Sequence, residues 1–191
     1  GRKGIGHVRY ATSGGTDACF SQPFERAHED PEKSFALAFN GNIANFLDAR
    51  ASLERPGTVF ACETDTELLL HALGIEWDAT RSWGETFARI AGQLDGAFNV
   101  CALSGKGDLV LARDPLGFRP LSFSVGDDGR VLGASESAAL ELFSPEKTEP
   151  VEPGEVIIAG DSGVERVRFA HSRQKAHCMF EWVFFANAAS R

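Results

Sequence analysis

Four features are missing from this sequence: a long apolar run, a basic segment, closely spaced cysteines and an internal repeat. No apolar run approaches the ~20 residues that span a bilayer, and the first residues do not form a signal peptide. The net charge is -8, and no segment gathers enough Lys and Arg to follow a phosphate backbone. We therefore expect neither a membrane nor a nucleic acid as partner.

The four cysteines are far apart in the sequence, and none forms a CxxC pair. They are Cys19, Cys62, Cys101 and Cys178. Such spacing is typical of reduced thiols and not of a disulfide or zinc framework. We therefore expect a cytoplasmic protein and assign no metal to this chain.

The 191 residues are 43% hydrophobic, which is enough for one globular domain with a sizeable core. Apolar spacing predicts helices at 43–54, after Thr64, at 82–94 and, briefly, at 137–143. Short runs separated by Gly and Asp turns predict strands. They are 4–10, 35–39, 58–62, 97–103, 109–113, 121–125, 131–134, 155–159 and 164–169. Residues 21–32, with two prolines, are expected to be a surface loop. Helices packed on largely antiparallel sheets describe a layered α+β domain.

The stretch FNGN is the first candidate site. The apolar run 35–39 predicts a strand that ends in a turn at Asn40 and Gly41, two residues that enter left-handed backbone space easily. Backbone and amide donors at such a turn suit an oxyanion that develops during acyl transfer. The alternative is a plain hairpin turn, which Asn-Gly forms often.

Two charged residues are candidate ligands for a small zwitterion. Arg9 lies in a short predicted strand, where it is either part of an ion pair or a bidentate partner for a ligand carboxylate. Asp65 follows Thr64 in a TDTE capping-box pattern, at the start of a helix. There its charge either complements the helix dipole or receives a ligand ammonium group.

Several motifs together resemble one family. They are GIGHVRYATSGG, FNGN, TDTE, RDPLGFRPL, ASES and CMFEWVFFA, in this order. Their order and spacing are similar to those of class II glutamine amidotransferases, and the last points to the amidophosphoribosyltransferases. The resemblance covers essentially the whole chain. It implies the four-layer αββα sandwich of the N-terminal nucleophile (Ntn) hydrolases, with largely antiparallel sheets.

The resemblance also implies four substrate-binding residues. Arg9 would hold the α-carboxylate of glutamine, with Thr12 assisting and Tyr10 on an adjacent loop. Asp65 would bind the α-amino group. These roles fit the two charged candidates found above.

The catalytic residues that the resemblance implies are Asn40 and Gly41, which would form the oxyanion hole. The family's nucleophile is a cysteine at the mature N-terminus, whose α-amino group is the base. This chain starts at Gly1, and its internal cysteines are expected to behave as small buried hydrophobes. We therefore expect the chain alone to be inactive.

The domain organisation follows from the same resemblance. Residues 1–175 would be a class II amidotransferase domain without its N-terminal strands, and 176–191 the start of a connection to an absent phosphoribosyltransferase domain. The intact enzyme would release ammonia from glutamine and make 5-phosphoribosylamine from phosphoribosyl pyrophosphate, in the first committed step of purine biosynthesis. Mg²⁺ would bind the absent domain, and an iron–sulfur cluster, with Cys178 as a ligand, is possible only in the intact protein. The intact protein is expected to be a homo-oligomer.

Two other functions are consistent with the sequence. One is a different class II amidotransferase, of the glucosamine-6-phosphate synthase or asparagine synthase type. The other is a catalytically dead module that binds glutamine or glutamate.

Overall fold

A computed structural model describes residues 2–8, 20–143, 147–172, 174–181, 183 and 188–190. The strands in these ranges are β1 (Phe24–Arg26), β2 (Phe35–Ile43), β3 (Gly96–Ser104), β4 (Leu109–Arg113), β5 (Ser122–Val125), β6 (Val131–Ala134), β7 (Thr148–Pro150), β8 (Glu155–Gly160) and β9 (Gly163–Arg168). The α-helices are α1 (Phe46–Glu54), α2 (Asp65–Thr80), α3 (Trp83–Gln93) and α4 (Ser137–Glu141). None of these helices has the length and apolar character needed to cross a membrane.

The strands form two antiparallel sheets. The larger has the order β1-β2-β3-β4-β8-β9, and the smaller has the order β6-β5-β7. Helices α2 and α3 pack on the larger sheet, with α1 against α2, while α4 contacts all three strands of the smaller sheet. The layers follow the order helices, sheet, sheet, helix, which confirms the predicted αββα sandwich.

Each face of the larger sheet contributes to a separate part of the core. On one face Phe35, Leu37 and Phe39 of β2 pack in a cluster with the apolar side chains of α2 and α3. On the other face Leu111 and Ile157 pack with residues of the smaller sheet and the loops beside it. This separation follows from the alternation of side chains along a strand.

The starts of α2 and α3 are those predicted from their capping residues. The hydroxyl of Thr64 accepts the N–H of Glu67 at 3.1 Å, and that of Ser82 accepts the N–H of Glu85 at 3.5 Å. Each cap satisfies a donor that the helix itself leaves without a partner. Helix α1 begins later than predicted, at Phe46, because β2 continues into the expected first turn.

The predicted turn at Asn40 and Gly41 is wrong. Strand β2 runs through both residues to Ile43, with Asn40 opposite Asn99 and Gly41 opposite Phe98 on β3. Neither Asn40 nor Gly41 has a positive φ. Gly41 is required for another reason: a Cβ there would lie 2.1 Å from the carbonyl oxygen of Ala97.

Three smaller predictions also differ from the structure. Residues 58–62 form no strand, because the carboxylate of Glu67 accepts the N–H groups of Ala61 and Cys62. Residues 4–8 form no strand either, and 9–10 lie outside the described residues. The expected loop 21–32 contains the edge strand β1 and the start of a 3-10 turn at Pro31–Lys33.

Candidate functional site

One edge of β2 carries a row of backbone donors. The N–H of Phe39 donates to the side chain of Gln22 at 2.6 Å, and the N–H of Ile43 donates to Asp65 at 3.1 Å. Alternate N–H groups of a strand point to the same edge, so the Gly41 N–H points there too, between them. Strand β1 occupies this edge only as far as Leu37. Among the described residues, the Gly41 N–H thus points to the part of this edge that β1 does not cover.

The side chain of Asn40 supplies a second donor. Its Oδ1 accepts a hydrogen bond from Nη1 of Arg119 at 2.7 Å. An arginine side chain has only donors, so the amide oxygen and not the amide nitrogen must face it. The Nδ2 group is therefore directed away from Arg119. Asn40 lines a cavity of about 210 Å³ between the two sheets, together with Gly6, His7 and Asn99.

Asp65 lies at the start of α2, next to the end of β2. Burial raises the pKa of its carboxyl, and the hydrogen bond from Ile43 lowers it in part. Gly41 and Ile43 are two residues apart, so the donors they carry are separated by roughly 7 Å along the strand. An extended glutamine spans roughly 6 Å from its α-nitrogen to its amide oxygen, from bond lengths near 1.5 Å. The carboxylate of Asp65 and the Gly41 N–H are thus separated by a distance of the same order as the length of glutamine.

The other substrate-binding residues of the prediction are Arg9, Tyr10 and Thr12, and all three lie outside the described residues. The residues just before them are described: Gly6 and His7 line the cavity beside Asn40. The structure thus brings Asn40, Gly41 and Asp65 together, and it does not place the predicted carboxylate site.

Cys101 also lines the cavity. Burial raises the pKa of its thiol to about 12. The nucleophilic form of cysteine is the thiolate, so this residue is poorly suited to attack an amide at neutral pH. In the part of the chain that the structure describes, no three His, Cys, Asp or Glu residues lie close enough to hold a metal ion. The expected magnesium and iron–sulfur sites remain predictions.

Three polar residues of this region were not predicted to contribute to it. Gln22 binds the β2 edge from the segment expected to be a surface loop. Arg119 holds Asn40, and its Nη1 also lies 3.4 Å from a carboxylate oxygen of Glu181. The sequence signals for these contacts are two of the motifs quoted above, RDPLGFRPL, which contains Arg119, and CMFEWVFFA, which contains Glu181.

This chain resembles known proteins along almost its whole length. The sequence pattern of the family described as "Glutamine amidotransferase domain" matches residues 8–142. The amidophosphoribosyltransferase of Methanothermobacter thermautotrophicus is 35% identical over 190 residues, which are 100% of this chain and 39% of that protein. That of Pyrococcus horikoshii is 36% identical over 97% of this chain and 39% of its own length.

Two solved structures are also similar to this chain over nearly its whole length. The glutamine phosphoribosylpyrophosphate amidotransferase of Bacillus subtilis with ADP and GMP has a TM-score of 0.79 and 30% identity over 97% of this chain and 39% of its own. A structure described as the allosteric regulatory enzyme of purine biosynthesis has a TM-score of 0.81 and 31% identity, with the same coverage. The chain thus spans about two fifths of these relatives. Since the family pattern covers more than half of its residues, this chain belongs to the glutamine amidotransferase domain family.

Proposed function

We propose that this chain is the glutamine-hydrolysing part of an amidophosphoribosyltransferase. In this proposal ammonia from glutamine reacts with phosphoribosyl pyrophosphate to give 5-phosphoribosylamine, the first committed step of de novo purine synthesis. The names of the relatives and their coverage of the whole chain support this assignment. A cytoplasmic location and a homo-oligomeric enzyme belong to the same proposal.

What carries the proposal is the pair of donors at Asn40 and Gly41 on β2, beside the Asp65 carboxylate that accepts the N–H of Ile43 two residues further along the strand. The Gly41 N–H and the Asn40 Nδ2 would bind the oxygen of the scissile amide as it becomes an oxyanion. One such donor typically contributes about 2.7–4 kcal/mol to the transition state. The carboxylate of Asp65, raised in pKa by burial, would be stabilised by the α-ammonium group of glutamine.

The reaction then proceeds in two steps. A thiolate, supplied by the N-terminal cysteine that the family resemblance implies, adds to the amide carbon of glutamine. The carbon–nitrogen bond breaks as the leaving nitrogen takes up the proton that the α-amino group of this cysteine accepted from the thiol, which releases ammonia and leaves a γ-glutamyl thioester. Water hydrolyses the thioester to glutamate. Arg9, with Tyr10 and Thr12, would hold the α-carboxylate throughout.

The test uses the product of the complete gene. We expect equal amounts of ammonia and glutamate from glutamine, and covalent inactivation by a γ-diazoketone analogue of glutamine. Mass spectrometry of the inactivated protein identifies the nucleophile, which we expect to be an N-terminal cysteine. Asn40→Ala should lower kcat by about 10²- to 10³-fold, whereas Asn45→Ala, an asparagine bonded to the carbonyl of Gln93 outside the site, should not.

Other outcomes would identify other functions. Tight glutamine binding without any turnover would replace the proposal with a non-catalytic binding module. Glutamine-dependent amination of a sugar phosphate or of aspartate, without phosphoribosylamine formation, would place the protein in another class II amidotransferase group. Label on Cys62 or Cys101 would show that the nucleophile is wrongly assigned.

A further inference from the structure

The segment 114–121 between β4 and β5 carries most of the RDPLGFRPL motif, and the proposed reaction gives it no role. Its first turn is held by one fully buried carboxylate, that of Asp114. Asp114 Oδ1 accepts the N–H groups of Leu116 at 2.9 Å and Gly117 at 2.7 Å. A buried carboxylate with several backbone donors fixes a loop in one conformation. The segment is therefore rigid where it leaves the sheet.

The far end of the segment is fixed as well. The side chain of Arg113 donates to the carbonyl oxygens of Arg119 at 2.8 Å and Gly117 at 3.0 Å. The side-chain amide of Asn99 donates to the carbonyl of Pro120 at 2.6 Å. The backbone on both sides of the Arg119 Cα is thereby held by the larger sheet.

The residues that hold Arg119 lie in one row with the residue that it contacts. Asn40, Asn99 and Arg113 are successive register partners across β2, β3 and β4. Register partners project from the same face of a sheet. Arg113 and Asn99 bind the backbone of the segment, and the Arg119 side chain returns to Asn40. Side chains of β3 and β4 thus fix the backbone around Arg119, and the side chain of Arg119 in turn contacts Asn40 on β2.

The guanidinium group of Arg119 has a second partner. Its Nη1 lies 2.7 Å from Asn40 Oδ1 and 3.4 Å from Glu181 Oε2. The carboxylate side chain of Glu181 is only 7% exposed. One nitrogen of the guanidinium is therefore held by two acceptors, an amide oxygen and a buried carboxylate, and the bond to the carboxylate is charge-assisted.

We propose that Arg119 is a positioning residue for the oxyanion hole. It holds the Asn40 amide so that Nδ2 and not Oδ1 faces the reacting oxygen, an inference that depends on the proposed glutaminase function. The χ2 angle of asparagine is broadly two-fold, so an Asn40 without this contact can present either atom. An amide oxygen facing an oxyanion repels it, while a neutral ground-state amide is affected much less. Loss of Arg119 should therefore lower kcat and leave KM nearly unchanged.

A double-mutant cycle on the product of the complete gene tests this role. We expect Arg119→Met to lower kcat for glutamine hydrolysis by about 10- to 100-fold and Asn40→Ala by about 10²- to 10³-fold. If Arg119 acts through Asn40, adding Arg119→Met to Asn40→Ala changes kcat by less than about threefold, because interacting residues are not additive. Arg119→Lys, which keeps a cationic donor beside Glu181, should restore part of the rate. Losses that multiply, or a change in KM alone, would overturn the proposal.

A spectroscopic measurement separates this inference from the proposed function. In protein labelled with ¹⁵N-asparagine, the Asn40 side-chain signals are identified by their loss in Asn40→Ala. We expect them to move in Arg119→Met and to stay near their original positions in Arg119→Lys, with the Asn45 amide as reference. Arg130→Met, which removes an exposed ion pair to Asp128, is the control for loss of an arginine.

The activity measurement tests the proposed function, and the Asn40 signals test the contact with Arg119. A wild-type protein without glutaminase activity would reject the proposed function, while the Asn40 signals would still report the Arg119 contact. An active wild type whose Asn40 signals are unchanged in Arg119→Met would reject the positioning role alone. Thermal unfolding of each variant shows whether a lost rate reflects a lost fold.

Discussion

The carboxylate of Asp65 accepts the backbone N–H of Ile43 at 3.1 Å and so joins the first turn of α2 to the end of β2. This contact places a half-buried negative charge beside the row of donors on the β2 edge. Burial raises the pKa of that carboxyl. A ligand with an ammonium group would relieve the unfavourable burial of the charge, which makes the position sensitive to substrate.

We predict that Asp65→Asn weakens glutamine binding by about 10- to 100-fold, the range for one hydrogen bond to a charged group. Asparagine retains an acceptor for the Ile43 N–H but no charge for the α-ammonium group. Isothermal titration calorimetry measures the change in the product of the complete gene with its N-terminal nucleophile replaced by alanine, because turnover would otherwise consume the glutamine. Asp48→Asn, in the first turn of α1 and exposed, is the matched control. Equal affinity in wild type and Asp65→Asn would remove Asp65 from the site.

The pH dependence of binding should identify the same carboxylate. Glutamine binds the ionised form of Asp65, so we expect the affinity to fall as the pH is lowered through the pKa of the free protein. Since burial raises that pKa, the fall begins at a higher pH than an ordinary aspartate, near 3.8, would give. Asp65→Asn should show no such dependence over the same range. A wild-type profile that matches the variant would contradict the assignment.

The contribution of Asp65 to stability should depend on pH in the sense opposite to its contribution to glutamine binding. A carboxyl whose pKa is raised by folding favours the folded state below its unfolded pKa, and this contribution is lost as the pH rises through the folded pKa. The free energy of unfolding of wild type, measured relative to Asp65→Asn, should therefore decrease between acidic and neutral pH. Urea unfolding of both proteins at several pH values measures it. A relative stability that increases with pH would show that Asp65 is stabilised as the anion.

The sequence selects Asn40 and Gly41 as candidate site residues but does not predict their backbone geometry. The family resemblance implies that they form the oxyanion hole, and the sequence predicts a left-handed turn there, whereas the structure places both in an extended strand. The Asn-Gly pair is consistent with either geometry locally, and pairing with β3 decides between them. That pairing requires a close approach to the carbonyl of Ala97, which no local propensity reveals.

The helices were predicted well because their signals are local. Thr64 and Ser82 cap α2 and α3 as the sequence indicates, and apolar spacing gives the rest of each helix. The contact between Arg119 and Asn40 joins residues 79 positions apart, and only the tertiary structure brings them together. The same is true of β1 and β7, which have three residues each and are defined by their neighbours in the sheets.

We predict that Gly41→Ala destabilises the fold by about 1–3 kcal/mol, the usual cost of overpacking. The added Cβ would lie 2.1 Å from the Ala97 oxygen and 2.7 Å from the ring of Phe39. Gly92→Ala is the control, since a Cβ there meets nothing within 4 Å and should stabilise α3 by about 0.5–1 kcal/mol. Chemical denaturation measures the free energy of unfolding of both variants. Equal effects of the two substitutions on the free energy of unfolding would show that β2 can shift to accommodate a Cβ at position 41.

The loop before α2 depends on a single carboxylate, that of Glu67. It accepts the N–H groups of Ala61 at 2.6 Å, Cys62 at 2.7 Å and Glu63 at 2.9 Å. An amide in its place has one acceptor oxygen, so we expect Glu67→Gln to cost about 2–4 kcal/mol, on the scale of lost hydrogen bonds to a charged group. Amide exchange at 61–63 should accelerate, whereas exposed Glu85→Gln should change neither quantity. Unchanged amide exchange at 61–63 in Glu67→Gln would mean that other contacts hold this loop in place.

Cys101 tests whether an internal thiol of the cavity can serve as the nucleophile. With a pKa raised to about 12 by burial, its thiolate fraction at pH 8 is about a thousandfold below that of an ordinary cysteine. We expect iodoacetamide to label Cys101 at least that much more slowly in the folded protein than after denaturation, as measured by peptide mapping. Cys101→Ala should retain glutaminase activity within about twofold, because small apolar replacements at such sites are tolerated. Rapid labelling of Cys101 together with loss of activity in Cys101→Ala would mean that the catalytic thiol lies between the sheets, and the oxyanion donors on β2 would then have to be assigned again around it.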